Sequence, residues 1–218
     1  MEIKVVKQVL DANNTVAWQN RELFKQKNIF VLNIMSSPGS GKTTVLEKTL
    51  EKIVKAIPTA VIVGDICTTN DANRLIKSCP SVIQVNTDEF GGDCHLAAHV
   101  IQSALTKIDL DSIRLLIIEN VGNLVCPAEF DIGESSRVVI LSTPEGEDKP
   151  LKYPLMFRQS NIALLNKIDL IPYLDFDKEL AVKNIHQVKS DMPVFEISAK
   201  TGQGMDLWIE WLEKQCKI

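Results

Sequence analysis

Between an apolar run, Ile29-Phe30-Val31-Leu32-Asn33-Ile34, and a helical repeat over 45–55 lies Ser36-Ser37-Pro38-Gly39-Ser40-Gly41-Lys42-Thr43-Thr44. The run reads as a buried strand, and the repeat sets Leu46, Leu50, Ile53 and Val54 on one side of a helix. Strand, glycine-rich turn ending Gly-Lys-Thr, then helix is the context that gives a phosphate-loop pattern its meaning. Gly39, Ser40, Gly41 and Thr44 let backbone N–H groups close around phosphates, with the helix dipole behind them. Lys42 is expected to reach the β- and γ-phosphates and the Thr43 hydroxyl to ligate magnesium. One departure is visible, Ser36 where the eight-residue pattern has its first glycine. The implied ligand is a nucleoside triphosphate.

The 218 residues suffice for one α/β domain, expected over 28–218, with residues 1–27 as a helical extension packed on it. In that extension Val5, Val6, Val9, Leu10, Val16, Ala17, Leu23 and Phe24 recur at helical spacing. They predict one amphipathic helix, or two divided near Asn13-Asn14. A net charge of −4 gives no electrostatic footprint for nucleic acid. No apolar run approaches a membrane span, and the charged amphipathic start is not a signal peptide. Five scattered cysteines suggest no disulfide framework, so a cytoplasmic, reducing setting is expected.

Further strands are predicted at 59–63, 81–85, 114–118, 137–142, 162–165 and 194–197, and helices at 154–158 and 205–214. Asp65 ends the second strand, where acids in open α/β sheets lie near the ligand crevice. It either holds a magnesium-bound or attacking water or caps the next turn. Residues 68–74 resemble a capped helix start and a switch segment. Glu119 ends the 114–118 strand three residues before Gly122, the spacing of a second phosphate-sensing switch. There Glu119 would hold magnesium through water and the Gly122 N–H would meet the γ-phosphate.

Two of the three histidines lie in Asp93-Cys94-His95-Leu96-Ala97-Ala98-His99. If Asp93 caps a helix, His95 and His99 share one face, and Cys94 sits in a first turn whose dipole favours thiolate. Thiolate with imidazole suits zinc or nickel rather than magnesium, although such a trio also arises with a purely structural role. Cys126, four residues beyond Gly122, would tie metal binding to nucleotide state, or it is a small buried apolar side chain. Cys67, Cys79 and Cys216 have no histidine neighbours and take that second reading.

The base end is explicit. Strand 162–165 delivers Asn166-Lys167-Ile168-Asp169 and strand 194–197 delivers Ser198-Ala199-Lys200. Asp169 can accept from guanine N1–H and its exocyclic amine, Lys167 can lie across the base, and Asn166 can brace the loop. A backbone N–H of 198–200 can meet guanine O6. No chemistry is assigned to 143–149.

Four segments together resemble the nickel-insertion GTPases of hydrogenase maturation, the HypB family of the dimerising P-loop class. They are 36–43, Gly64-Asp65, Cys94-His95-Leu96 and Ile118-Glu119-Asn120-Val121-Gly122-Asn123-Leu124-Val125-Cys126-Pro127. The resemblance covers nearly the whole chain, and the Ser36 departure is usual in that family. It implies a mostly parallel P-loop GTPase sheet with helices on both faces, plus the N-terminal amphipathic helices. It further implies GTP hydrolysis to GDP with Mg2+, and a GTP-dependent homodimer with Ni2+ or Zn2+ at its interface. Cys94, His95 and Cys126 would be the ligands, with His99 at a position some members use. Implied partners are a HypA-type metallochaperone and the hydrogenase large-subunit precursor, with neither nucleic acid nor membrane. Lys42 and Thr43 would stabilise the transferring phosphoryl group, Glu119 would hold the magnesium, and Asp65 would position the water.

Overall fold

The computed structural model describes residues 4–65, 70–87 and 95–216. Seven strands form one parallel sheet: β1 (Phe30–Ser36), β2 (Thr59–Asp65), β3 (Val82–Asn86), β4 (Leu115–Glu119), β5 (Ser136–Ser142), β6 (Ile162–Asn166) and β7 (Val194–Glu196). Their spatial order is β3-β2-β4-β1-β5-β6-β7. The five inner strands are buried on both faces and so read as near-continuous apolar runs rather than alternating ones, while the edge strands β3 and β7 are only partly buried.

The helices are α1 (Lys4–Gln26), α2 (Lys42–Ile53), α3 (Asn70–Leu75), α4 (Ala98–Leu105), α5 (Cys126–Glu129), α6 (Lys149–Lys152), α7 (Pro154–Gln159), α8 (Lys178–Val188) and α9 (Met205–Gln215). Alternate residues of β1 divide the core. Leu32 and Ile34 face α2 and α9, packing with Leu46, Leu50, Trp208 and Leu212. Trp208 is fully buried, and its Nε1–H donates to Thr49 Oγ1 at 3.0 Å. On the opposite face Val31 packs with Phe24 of α1 and Ile101 and Leu105 of α4. Met35, further along the same face, packs with Phe157 of α7 and Ile185 of α8. Asn33 lies between those two apolar clusters.

Of the one or two helices expected before β1 the structure has one, α1, which runs through Asn13-Asn14 without a break. Asparagine costs a helix interior well under 1 kcal/mol relative to alanine, and here tertiary bonds outweigh that. Asn13 Nδ2 donates to Asp131 O (2.7 Å), and Asn13 Oδ1 accepts from Ala98 N–H (2.9 Å). Asn20 Nδ2 donates to the carbonyls of Ala98 (3.0 Å) and Ile132 (3.2 Å). Arg21 forks onto Asp131 at 2.7 and 2.8 Å.

One expectation is corrected, and it concerns the histidines. α4 starts at Ala98 with Ala97 as its N-cap, so His95 precedes the helix and does not share a face with His99. Asp93 and Cys94, to which the expected cap and first turn were assigned, lie outside the described residues. α8 is absent from the sequence expectations, although Asp177 caps it by accepting from Leu180 N–H, and Ala181 and Ile185 form its buried stripe. Among the described residues, no helix is long and apolar enough to cross a membrane.

Candidate functional site

Ser36, Asp65, Glu119 and Asn166 all end parallel strands, so their loops gather at the carboxyl edge of the sheet, where open α/β sheets bind ligands. A cavity of about 390 Å³ opens there, lined by Gly39, Lys42, Thr43, Asp65, Glu119 and Gly122 among others. A second cavity of about 390 Å³ is lined by Asn166, Lys167, Asp169, Ala199 and Lys200. Gly41 and Thr44 line both, so a phosphate end and a base end meet at the start of α2.

Gly41 has φ +96°, and a Cβ there would sit 2.8 Å from Asn166 Nδ2. Only glycine satisfies both the left-handed backbone and that approach. Ser36, in place of the usual glycine, is fully buried. Its hydroxyl accepts from Lys42 Nζ (3.0 Å) and Ser40 Oγ (2.5 Å) and donates to Ser37 O (2.7 Å). Burial lowers the Lys42 ammonium from its ordinary value against the pull of Glu119, Asp71 and Glu145.

Thr43 Oγ1 donates to Glu119 Oε1 at 2.9 Å, while Glu119 Oε2 is buried with no hydrogen-bond partner among the described residues. Burial raises the Glu119 carboxyl to about 7, opposed by Lys42 and by the Thr43 hydrogen bond. A buried carboxylate with an orphaned oxygen beside the phosphate-loop threonine is a fit for a hydrated hard cation. Thr43, Glu119 and Asp65 are the residues that would hold magnesium. Gly122 packs directly on the phosphate loop: a Cβ there would lie 3.2 Å from Pro38 Cα and N.

At the base end Asn166 Nδ2 donates to Ser40 O (2.9 Å), and Asn166 Oδ1 accepts from Ala199 N–H (3.2 Å). Lys167 holds a left-handed φ of 64° and donates from Nζ to Gly39 O (2.6 Å). Non-glycine residues adopt that region mostly where the surroundings impose it. Ser198 Oγ donates to Asp169 Oδ1 at 2.6 Å, orienting the carboxylate. The three motifs expected from the sequence thus converge on one groove.

Three contributors were not foreseen in the sequence. Arg74 of α3 lines the phosphate cavity, donating to Thr44 Oγ1 (3.0 Å) and pairing with Glu47 (2.5 Å). Glu145 accepts from Ser37 Oγ of the phosphate loop and, through Oε2, from Ser142 N–H (2.8 Å) and Oγ (2.6 Å). Thr143 Oγ1 donates to Lys167 O at 2.8 Å, bracing the base loop. The only sequence signals were Arg74 three residues after Asp71 and the capping pattern of Ser142 with Glu145.

The metal-type residues are less gathered. His95 stacks on Phe130, ring centroids 3.7 Å apart and planes 25° off parallel. His99 is exposed on α4. Cys126 opens α5, its sulfur accepting from Asn123 Nδ2 at 3.5 Å. That sulfur is disulfide-bonded in this structure, so ligating a metal would require the reduced thiol. Among the described residues, no three His, Cys, Asp or Glu side chains form a metal-sized group. Cys79 is fully buried with its thiol pushed up by burial, and burial likewise pushes Cys216 to about 11. Cys79 matches the reading of cysteine as a small core residue, Cys216 is only partly buried against the core, and Cys67 lies outside the described residues.

Residues 30–196 match the family model described as CobW/HypB/UreG, nucleotide-binding domain. The chain belongs to this family. It is 51% identical over 207 residues to the hydrogenase maturation factor HypB of Escherichia coli K12, covering 95% of this chain and 70% of that protein. The crystal structure of HypB from Helicobacter pylori in complex with nickel superposes with a TM-score of 0.88 at 36% identity, covering 94% of this chain and 95% of that one. HypB from Archaeoglobus fulgidus gives 0.88 at 34% identity, with 95% and 100% coverage. The expected family and the parallel P-loop sheet with helices on both faces are thereby borne out, and most of the residues lining the groove fall within the matched nucleotide-binding domain.

Proposed function

We propose that the chain is a GTP-hydrolysing metallochaperone that carries nickel, or zinc, at a nucleotide-controlled homodimer interface and assists nickel insertion into hydrogenase. One observation carries this reading. Gly122, packed on Pro38 of the phosphate loop, is followed four residues later by Cys126, so one short segment spans phosphate sensor and metal-type thiol. The nickel-bound Helicobacter pylori relative supports the choice of cargo.

The chemistry is phosphoryl transfer from GTP to water, in which positioning and charge stabilisation do nearly all the work. Asp169, oriented by Ser198, accepts from the guanine edge, and Lys167 and Asn166 hold the base loop against Gly39 and Ser40. Lys42 leaves Ser36 for the β- and γ-oxygens. The backbone N–H groups of 39–44 surround the phosphates. Magnesium, when bound through Thr43 and Glu119, supplies positive charge to the phosphate oxygens. Asp65, at the cavity wall, orients the attacking water. Loss of the γ-phosphate frees the Gly122 segment, loosens the interface and releases the metal held by Cys94, His95 and Cys126, with His99 a further candidate. The receiving partners are a HypA-type metallochaperone and the hydrogenase large-subunit precursor, in the cytoplasm. Residues 1–27 serve as a buttress for the nucleotide domain at 28–218.

The test loads the reduced protein with nickel and follows transfer to a chromogenic chelator. Release is expected to accelerate with GTP and Mg2+, and to stay slow with a non-hydrolysable analogue. Equal rates with both would refute a hydrolysis-driven release.

A further inference from the structure

On the α1/α4 face the two apolar clusters are separated by a seam of buried polar side chains. Asn33 of β1 is fully buried and Asn120, the residue after Glu119, is 1% exposed. Asn120 Oδ1 accepts from two backbone donors, Leu96 N–H (3.2 Å) and Val121 N–H (3.0 Å). Asn120 Nδ2 donates to Asn33 Oδ1 (3.2 Å), and Asn33 Nδ2 donates to Glu134 Oε1 (3.2 Å). Glu134 pairs with Arg137 Nε, and Arg137 donates from Nη1 to Ala128 O (3.1 Å) and from Nη2 to Phe130 O (3.2 Å). Those carbonyls lie at the end of α5, which Cys126 opens, and Phe130 carries the His95 ring. One continuous path therefore runs from Glu119 and Gly122, which touch the phosphate loop, to both segments that bear metal-type residues.

Aliphatic side chains at 33 and 120 would join the two clusters but strip Leu96 N–H, Val121 N–H and Glu134 Oε1 of the bonds the two asparagines give them here. Buried amides are costly unless every bond is made, and a satisfied network fixes one arrangement of the segments it joins. We propose that Asn120 is a positioning residue that transmits phosphate-loop occupancy to the His95–Leu96 and Cys126–Phe130 segments. Its backbone follows Glu119, and its N–H donates to Ile34 O of β1 (3.0 Å). A shift of Glu119 and Gly122 towards a γ-phosphate would turn the Asn120 amide and change its grip on Leu96. The nickel consequence rests on the function proposed above, whereas the mechanical link does not.

The test therefore has one readout without metal and one with it. Amide hydrogen exchange at Leu96 is followed in the metal-free protein with GDP and with a non-hydrolysable GTP analogue. Leu96 exchange is expected to differ between the two nucleotides in the wild type and to become nucleotide-independent in Asn120→Ala. Asn33→Ala, which leaves the Leu96 bond in place, is expected to shrink the difference without abolishing it. Unchanged wild-type exchange at Leu96 on nucleotide replacement overturns the proposal and needs no variant to fold. The second readout is the ratio of nickel affinities with analogue and with GDP. Coupling between sites typically spans about 5–150-fold, and in Asn120→Ala the ratio should fall to within about twofold of unity. A merely structural asparagine would weaken both affinities and leave the ratio intact, which would also overturn the proposal. A wild-type ratio of unity with responsive Leu96 exchange would sink the nickel reading while sustaining the link.

Discussion

Glu119→Gln should stabilise the nucleotide-free, metal-free protein at neutral to alkaline pH while removing its catalytic competence. The Glu119 carboxyl is raised from 4.5 to about 7 by burial, with Lys42 and the Thr43 hydroxyl only partly offsetting it. Between those values the folded chain binds the proton more tightly than the unfolded chain, so this group's contribution to stability falls as pH rises through the window. At 1.36 kcal/mol per tenfold change, the ionised form is disfavoured on folding by about 3 kcal/mol as an upper bound. Relaxation and water entry around a buried charge reduce what a denaturation experiment reads to about 1–2 kcal/mol. Glutamine keeps an acceptor for the Thr43 hydroxyl and carries no charge. Urea denaturation in a chelator, without nucleotide, should show variant and wild type nearly equal at pH 4.5 and the variant more stable at pH 8. With GTP analogue and Mg2+ the order should reverse. A pH-independent difference, or a wild type more stable than the variant at pH 8 without metal, would refute the reasoning.

Asp169→Asn replaces the acceptor proposed for guanine N1–H and the exocyclic amine, and GTP affinity should fall roughly 100-fold or more by competition binding; a loss under tenfold would remove Asp169 from base reading. Gly122→Ala sets a Cβ 3.2 Å from the Pro38 backbone, so analogue binding should weaken more than GDP binding in fluorescence titrations. Equal weakening would mean that Gly122 does not sense the γ-phosphate. Trp208→Ala empties a fully buried site and orphans the Thr49 hydrogen bond, which should cost about 3–5 kcal/mol in denaturant midpoint experiments with nucleotide contacts intact.

What was legible in the sequence is what is local. The phosphate loop, Glu119 with Gly122, and the Asn166–Asp169 loop each follow an apolar strand directly, and strands buried on both faces betray themselves as runs. The helix start at 98 was misread because Asp93 resembles an N-cap, whereas tertiary bonds from Asn13 and Asn20 on α1 hold the Ala98 backbone. The unbroken α1 has the same cause, since Asn13 and Asn20 are partnered 78 or more residues away. The seam of Asn33, Asn120 and Glu134 was invisible for that reason as well. Asn33 is an isolated polar residue in an apolar strand, and its partners lie 87 and 101 positions distant. Arg74 reaches the site only because α3 packs beside α2.

The most direct measurement is nickel titration combined with sedimentation on the reduced protein, comparing GDP with a non-hydrolysable GTP analogue in wild type and Cys126→Ala. The expected result is a dimer with the analogue that binds nickel more tightly or in greater number, a gain the variant loses. Nickel binding indifferent to both nucleotide and Cys126 would contradict the coupling of switch and metal, leaving a plain nucleotide switch.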